Sequence, residues 1–502
     1  MIPDIAARRA QLSPQRTAVI FRERAYTYGE LNGRAERLAA GLQAAGVRKG
    51  DRVAILAQNH IAHIDLMMAT AKAGFIHTPF NYRLSRAEQL DLARYVRPAF
   101  VLADEERLPV AESIAAELGS GLLRLAGFEQ WLEQAPAQAN PVPLSPEDTQ
   151  MILFTGGTTG TPKGAMLPYR QGFYNAVNTV LSWGLRDDDR VIQATPCFHA
   201  AVNAFTTPLL HLGATVILQD SFEPGEYLDL AASHRATILF LVPTMYRMLA
   251  DHEGFAGADL SAVRWAISGG APCPAAVRQR FTDRGIRFRQ GYGMTEAGVN
   301  CFAIELDVAQ KKPTSVGSPV LHAQAVVRDE AGQPVPPGEV GELTLRGPHL
   351  FSGYFERPQA TEEVLRDGWL WTGDLARQDE DGHFHLVGRR KEMFISGGEN
   401  VFPAEVEAHL EEHPLVSECC VVGVPDERWG EVGLAAVVID ESALPAGEDG
   451  KERVAQELRE HLRKNLARYK VPKRFLFLPE LPKSGAGKVL KREIAQLGKE
   501  TV

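Results

Sequence analysis

Hydrophobic and polar positions along residues 17–103 alternate between two rhythms. Thr17–Phe21, Arg52–Leu56 and Ala99–Ala103 are short, mostly apolar runs with the composition of buried strands. Between them, Tyr28–Ala45 and Ile61–Ala73 repeat apolar residues at helical spacing. Strands alternating with amphipathic helices predict a largely parallel sheet covered by helices, hence an α/β fold. Residues 104–149 turn polar and Ala/Pro-rich and read as a connecting surface stretch. The alternation resumes with strands predicted at Val191–Thr195, Ala214–Gln219, Ile238–Val242 and Val263–Ser268. Residues 320–388 are dense in Gly, Pro and β-branched residues, which predicts a smaller β-rich subdomain. A charged segment follows, Gly388-Arg389-Arg390-Lys391. Beyond it, helices are predicted at Pro403–Glu412 and Lys451–Leu466, and strands at Cys419–Val424, Leu434–Ile439 and Arg474–Leu478, enough for a separate core. The chain thus divides into an N-terminal body of parallel and mixed sheets, residues 1–389, and a small α+β C-terminal domain, residues 390–502.

A length of 502 residues exceeds what one core organises, in keeping with that division. The net charge of −9 argues against a general nucleic-acid binder. Cys197, Cys273, Cys301, Cys419 and Cys420 show neither a Cys-x-x-Cys pair nor zinc spacing, and read as thiols in a reducing compartment. No basic-then-apolar leader opens the chain, and no run of about 18 apolar residues occurs. The expectation is a cytoplasmic protein without a transmembrane segment, with a homodimer left open.

The stretch that changes the picture is Met151–Gly164. Its apolar start, Met151 to Phe154, breaks into a loop where Thr155, Thr158, Thr159 and Thr161 offer hydroxyls to phosphate oxygens. Gly156, Gly157 and Gly160 let backbone N–H groups approach a polyanion. Lys163 adds a point charge behind Pro162. Standing alone, such a cluster is as well explained by a surface turn. A Walker A loop is ruled out, because Lys163 is followed by Gly164 and not by Ser or Thr.

This loop resembles the phosphate-binding signature of the adenylate-forming, AMP-binding superfamily of acyl-CoA synthetases, adenylation domains and luciferases, with Gly156 where that family usually has serine. Further matching stretches follow in order: Pro196-Cys197-Phe198-His199, Ser268-Gly269-Gly270-Ala271-Pro272, Gln290-Gly291-Tyr292-Gly293-Met294-Thr295-Glu296, Gly341-Glu342-Leu343, Thr372-Gly373-Asp374-Leu375, Gly388-Arg389, Ser396-Gly397-Gly398-Glu399-Asn400 and Pro482-Lys483-Ser484-Gly485-Ala486-Gly487-Lys488. Each is weak; collinear over most of the chain, they are specific. The similarity looks closest to the fatty-acyl-CoA synthetases, and it implies that family's fold, with the C-terminal domain as a mobile lid hinged at Lys391.

The resemblance also implies roles. ATP or AMP contacts fall to Thr155, Gly156, Gly157, Thr158, Thr159, Gly160, Lys163, Gly270, Ala271, Gln290, Gly291, Tyr292, Thr295, Asp374, Arg389 and Lys488. Tyr292 offers adenine a flat face, and Asp374 can accept both ribose hydroxyls. Glu296 suits Mg²⁺, which keeps hard oxygen ligands, and is expected to face nucleotide and not the core. Lys488 matches the lysine that bridges the acid and the α-phosphate, with Thr158 and Glu296 beside it in the catalytic set. His199 completes that set by positioning the acid. Coenzyme A contacts fall to Gly397, Gly398, Trp429 and Tyr469. Residues 463–492 carry ten Lys and Arg against Glu480 alone, which fits phosphate docking or a solvated basic face.

These roles describe an ATP-dependent carboxylic acid–CoA ligase working through an acyl-adenylate, with ATP, Mg²⁺ and coenzyme A. A carrier-protein-loading enzyme is the first rival, and a non-catalytic nucleotide-binding scaffold the second. Pro196–Leu210 carries no charged residue, which disfavours amino acids and dicarboxylates. Ala200, Ala201, Ala204 and Phe205 beside His199 predict an apolar tunnel, where each buried methylene adds about 0.8 kcal/mol. A medium or long fatty acid is therefore expected, with an aryl or arylalkanoic acid as the alternative.

Overall fold

The computed structural model describes residues 4–155, 162–439, 448–483 and 489–500. They form two compact units. One comprises Met1–Cys273, Arg280–Ala325 and Leu345–Leu370; the other comprises Pro274–Gln279, Val326–Thr344 and Trp371–Val502.

The first unit is built on two seven-stranded sheets. One runs in the order Phe288–Gln290, Trp265–Ser268, Ile238–Leu241, Arg190–Gln193, Thr215–Leu218, Thr17–Phe21 and Arg24–Thr27, parallel until its last hairpin. The other runs Gly353–Tyr354, Lys163–Pro168, Thr149–Thr155, Ile76–Pro79, Arg52–Leu56, Phe100–Ala103 and Gly121–Arg124. Ile76–Pro79, Ile238–Leu241 and Trp265–Ser268 are buried at every position, as expected of parallel strands covered on both faces. The mixed α/β body predicted from the alternation is thus observed.

Residues 104–149 depart from the predicted surface connection. They contain the helices Leu108–Leu118 and Phe128–Gln134 and the strand Gly121–Arg124, which pairs in parallel with Phe100–Ala103. The Ala-rich run hides a helical stripe, Leu108, Ala111 and Ile114, ended by Gly119 at φ +69°. Alanine is too weakly apolar for that stripe to stand out in the sequence.

Largely within the second unit, Phe384–Arg389, Trp369–Gln378, Val340–Arg346 and Gln324–Arg328 lie side by side in that order. A further sheet orders Glu399–Val401, Phe394–Ser396, Gly430–Ile439 and Val416–Asp426, with Arg474–Phe477 parallel to Gly430–Ile439. Pro403–Leu410 and Glu448–Arg463 help build one core with it, through Val406, Leu410, Leu458 and Leu462. Ile494 of the Lys491–Glu500 helix joins a second core with Val422 and Leu434. Among the described residues no helix is long and apolar enough to cross a membrane.

Candidate active site

The two strands that flank the threonine-rich loop form an antiparallel hairpin in which Thr155 lies opposite Lys163. Gly156, Gly157, Thr158, Thr159 and Gly160 lie outside the described residues, as does Lys488. Thr155 Oγ1 donates to the Lys163 carbonyl at 3.4 Å. The Lys163 ammonium stands 5.0 Å from the centroid of the Tyr354 ring, a cation–π distance. Tyr354 in turn donates its hydroxyl to Glu296 Oε1 at 2.8 Å. Burial and the Glu296 charge both push the phenol's pKa up, so it stays a donor.

Glu296 sits in the single turn Thr295–Ala297 and is only 6% exposed. It is a buried carboxylate that also braces Tyr354, a packing role beside the nucleotide-facing one expected of it. Gln171 fixes the same turn by donating Nε2 to the Thr295 carbonyl at 3.0 Å. Gln171 and Tyr354 carry no motif signal, because they come from other segments of the chain.

The Gly270–Ala271 and Gln290–Tyr292 stretches follow neighbouring parallel strands, with Ser268 opposite Gln290. Both therefore leave the carboxyl edge of one sheet, where open α/β sheets place ligands. Gly270 and Ala271 are exposed, and Gly270 has φ +84°. Tyr292 is half-buried against Phe302, with ring centroids 5.6 Å apart. Gln290 donates to the Cys273 carbonyl at 3.5 Å, while its Oε1 is buried with no partner among the described residues.

His199 is half-buried beside Phe198, with ring centroids 4.3 Å apart. Asn59 positions this stretch: its Oδ1 accepts the Cys197 N–H at 2.7 Å, and its Nδ2 donates to the Thr195 carbonyl at 3.2 Å. Sequence reasoning missed Asn59, which lies far away in the chain.

Beside His199 and Thr295 opens a cavity lined by Met67, Met68, Met151 and Leu167, and also by Gln171, Asn175, Ala200, Asn203, Thr207, His211, Gly298 and Val299. The helix Val202–Leu212 turns Asn203, Thr207 and His211 toward it, at helical spacing. Ala204 and Phe205 do not line it; Phe205 packs on Phe240 with centroids 5.1 Å apart. The apolar tunnel expected from Ala200, Ala201, Ala204 and Phe205 is therefore corrected. Residues consecutive in sequence lie on different faces of the helix, and the cavity face is partly polar.

In the second unit, Asp374 is buried opposite Arg389 on the neighbouring strand, with Arg389 Nε 3.1 Å from Asp374 Oδ1. Glu342, from a motif given no role above, accepts the Gly373 N–H at 3.0 Å and pairs with Arg390 at 3.0 Å. It thereby braces both the Asp374 strand and the segment leading into Lys391, which is exposed. Gly397 and Gly398 form a two-residue hairpin turn at φ +63° and +89°, values that favour glycine whatever passes nearby. A Cβ on Gly397 would lie 2.7 Å from Trp429. These three residues are brought together, with Lys473 Nζ 4.3 Å from the Trp429 ring centroid. Tyr469 instead packs, partly buried, against the core that contains Val406 and Leu458.

Residues 6–355 match the AMP-binding enzyme family and residues 405–488 match the AMP-binding enzyme C-terminal domain. The chain belongs to the AMP-binding enzyme family. It is 45% identical to a feruloyl-CoA synthase of Amycolatopsis sp. over 97% of each chain. It is 36% identical to the indoleacetate–CoA ligase of Aromatoleum aromaticum, covering 98% of this chain and 96% of that one. Its fold matches the o-succinylbenzoate CoA synthetase of Bacillus subtilis bound to its acyl-adenylate, with a TM-score of 0.87, 30% identity and 98% of each chain covered. Within the family, this chain is an ATP-dependent acid–CoA ligase of the AMP-forming type, with ATP and coenzyme A as co-substrates. The Bacillus subtilis enzyme is also known with ATP and a magnesium ion.

Proposed function

We propose that this ligase activates a monocarboxylic aromatic acid. The observation that carries the reading is the mixed lining of the cavity beside His199. An alkyl chain there would meet the polar side chains of Gln171, Asn175, Asn203 and Thr207, which bond within the protein, as Thr207 Oγ1 does to Asn203 Oδ1 at 2.8 Å, and would gain less than in an all-apolar tunnel. A flat ring with polar substituents satisfies both kinds of wall. Among the described residues the cavity lining includes no Lys, Arg, Asp or Glu, and burial lowers the His211 pKa to about 4, so it is neutral. A second carboxylate, as in succinylbenzoate, would lack a counter-charge. The feruloyl-CoA and indoleacetate relatives support the aromatic reading, and the fatty-acid expectation gives way to it.

In the first half-reaction the acid's carboxylate attacks the α-phosphorus of ATP and pyrophosphate leaves. In the second, the thiol of coenzyme A attacks the acyl carbon and AMP leaves. Both steps bring anions together, so their repulsion must be offset by fixed positive groups and held geometry. Lys163 and the threonine loop are assigned to the phosphates, Tyr292 to adenine, and Asp374 with Arg389 to the ribose. Glu296 is assigned to Mg²⁺, whose contribution when bound is to neutralise phosphate charge; a buried carboxylate held by Tyr354 fits a hard cation. His199 positions the acid, because its carboxylate needs no deprotonation to attack. Lys488 is assigned to the carboxylate and α-phosphate during adenylation, and residues 390–502 to a lid turning at Lys391 between the two steps. Trp429 and Gly397–Gly398 are assigned to coenzyme A. A panel of fatty, benzoic, cinnamic and arylacetic acids, scored by AMP release with coenzyme A, tests the substrate. Cinnamic or arylacetic acids are expected to exceed octanoate and palmitate by at least tenfold in kcat/KM. A preference for the fatty acids would reject the aromatic reading.

A further inference from the structure

The motifs Gly341-Glu342-Leu343 and Thr372-Gly373-Asp374 are separate in sequence but meet on the neighbouring strands Val340–Arg346 and Trp369–Gln378. Glu342 is only 7% exposed, and each of its carboxylate oxygens has a partner. Oε1 accepts the Gly373 N–H at 3.0 Å, and Oε2 lies 3.0 Å from Arg390 Nη1. The backbone closes the ring, because the Arg390 N–H donates to the Gly373 carbonyl at 2.9 Å. Gly373 has φ +72°, a conformation that favours glycine. The residue before it is tied to the same strand: Thr372 Oγ1 donates to the Leu343 carbonyl at 2.7 Å and accepts the Asp374 N–H at 3.1 Å. A Cβ on Gly341 would lie 2.4 Å from the Arg328 carbonyl oxygen, so the first position of the motif lets this strand press against Gln324–Arg328. The turn that carries Asp374 is therefore held from Glu342 and Leu343, while Arg389 meets the Asp374 carboxylate from the other neighbouring strand.

We propose that Glu342 is a positioning residue for the ribose of the nucleotide, acting through Asp374. This rests on the assignment of Asp374 to the ribose and deepens it. A carboxylate can accept from two hydroxyls at once only if both of its oxygens are in reach together. A misplacement of about 1 Å is enough to lose most of such an interaction. Without the Glu342 acceptor, the Gly373 N–H must find another partner, and the turn moves with it. Asp374 keeps its charge in that case and loses its place.

The test measures Kd for ATP and for 2′,3′-dideoxy-ATP, each with Mg²⁺, on the full-length protein by calorimetry. The wild-type protein should bind ATP at least about tenfold more tightly, the weight of hydrogen bonds to a charged acceptor. Glu342→Leu, checked for folding by its thermal midpoint, should bring that ratio toward one by weakening ATP and leaving the dideoxy nucleotide unchanged. Glu342→Gln keeps an acceptor for Gly373 and should retain most of the ratio. Glu342→Asp keeps the charge but withdraws the acceptor by one methylene and should lose the ratio, which decides the matter if the leucine variant does not fold. An undiminished ratio in a folded Glu342→Leu or Glu342→Asp protein would overturn the proposal. So would equal weakening of both nucleotides, which marks a merely structural brace. Asp374→Ala tells the two levels apart. A ratio lost in Asp374→Ala but kept in the Glu342 variants rejects this inference alone. A ratio near one in the wild-type protein, or one unchanged in Asp374→Ala, rejects the ribose assignment and this inference with it.

Discussion

Glu296 does two jobs that a single substitution would confuse. Its charge is assigned to the metal–phosphate centre, and its Oε1 accepts the Tyr354 hydroxyl within the protein. Glu296→Gln keeps the acceptor and removes the charge. Pyrophosphate–ATP exchange should then fall by roughly two orders of magnitude, about 3 kcal/mol of lost transition-state stabilisation, with little change in thermal midpoint. Glu296→Ala should show the same kinetic loss and also cost about 1–3 kcal/mol of stability, because the buried Tyr354 hydroxyl loses its acceptor. Normal exchange in the glutamine variant would remove Glu296 from the reacting centre.

At the scale of the element, the helix Ile61–Ala73 shows how a local cap sets a response to pH. It is buried nearly all round, and its N-terminus is capped by His60, whose Nδ1 accepts the Ala62 N–H at 3.2 Å. Accepting requires an unprotonated Nδ1, and burial, helped by the charge of Arg22, lowers the His60 pKa to about 4. The unfolded imidazole titrates near 6.5. The folded pKa is therefore depressed, and below pH 6.5 the unfolded state takes up more protons than the folded one. Stability from this residue is complete above pH 6.5 and is lost as pH falls from 6.5 toward 4. Burial likewise lowers His63 to about 3 and His349 to about 4, which adds to the same trend. Urea midpoints should drop steadily from pH 7 to pH 5, and His60→Gln should flatten part of that slope. A slope unchanged by His60→Gln would assign the acid sensitivity elsewhere.

For the whole molecule, the proposed two-step reaction predicts that Lys488 and Lys391 separate the half-reactions. Lys488→Ala should nearly abolish pyrophosphate exchange, yet still convert a supplied acyl-adenylate to thioester. Lys391→Pro restricts φ to near −65° and removes a backbone N–H. It should hold the lid domain in one orientation, preserve one half-reaction and slow the other by orders of magnitude. Single-turnover thioester formation, measured beside exchange, separates the outcomes. Equal impairment of both steps in each variant would favour one fixed site over an alternating lid.

What the sequence determined by itself is what depends on neighbours along the chain. Strand–helix alternation showed the α/β body, and the collinear glycine-rich motifs marked the AMP-binding family and the acid–CoA ligase class that goes with it. Tertiary structure decided whatever depends on which face a residue turns and what comes to meet it. Phe205 and Asn203 are two residues apart, yet helical geometry sends one to Phe240 and the other to the cavity. The partners Asn59, Tyr354 and Gln171 reach the Cys197, Glu296 and Thr295 positions across separations of 138, 58 and 124 residues, so no local pattern could mark them. A binding wall is assembled from one face of each of several elements, and the polarity of a face is not the polarity of the segment that carries it.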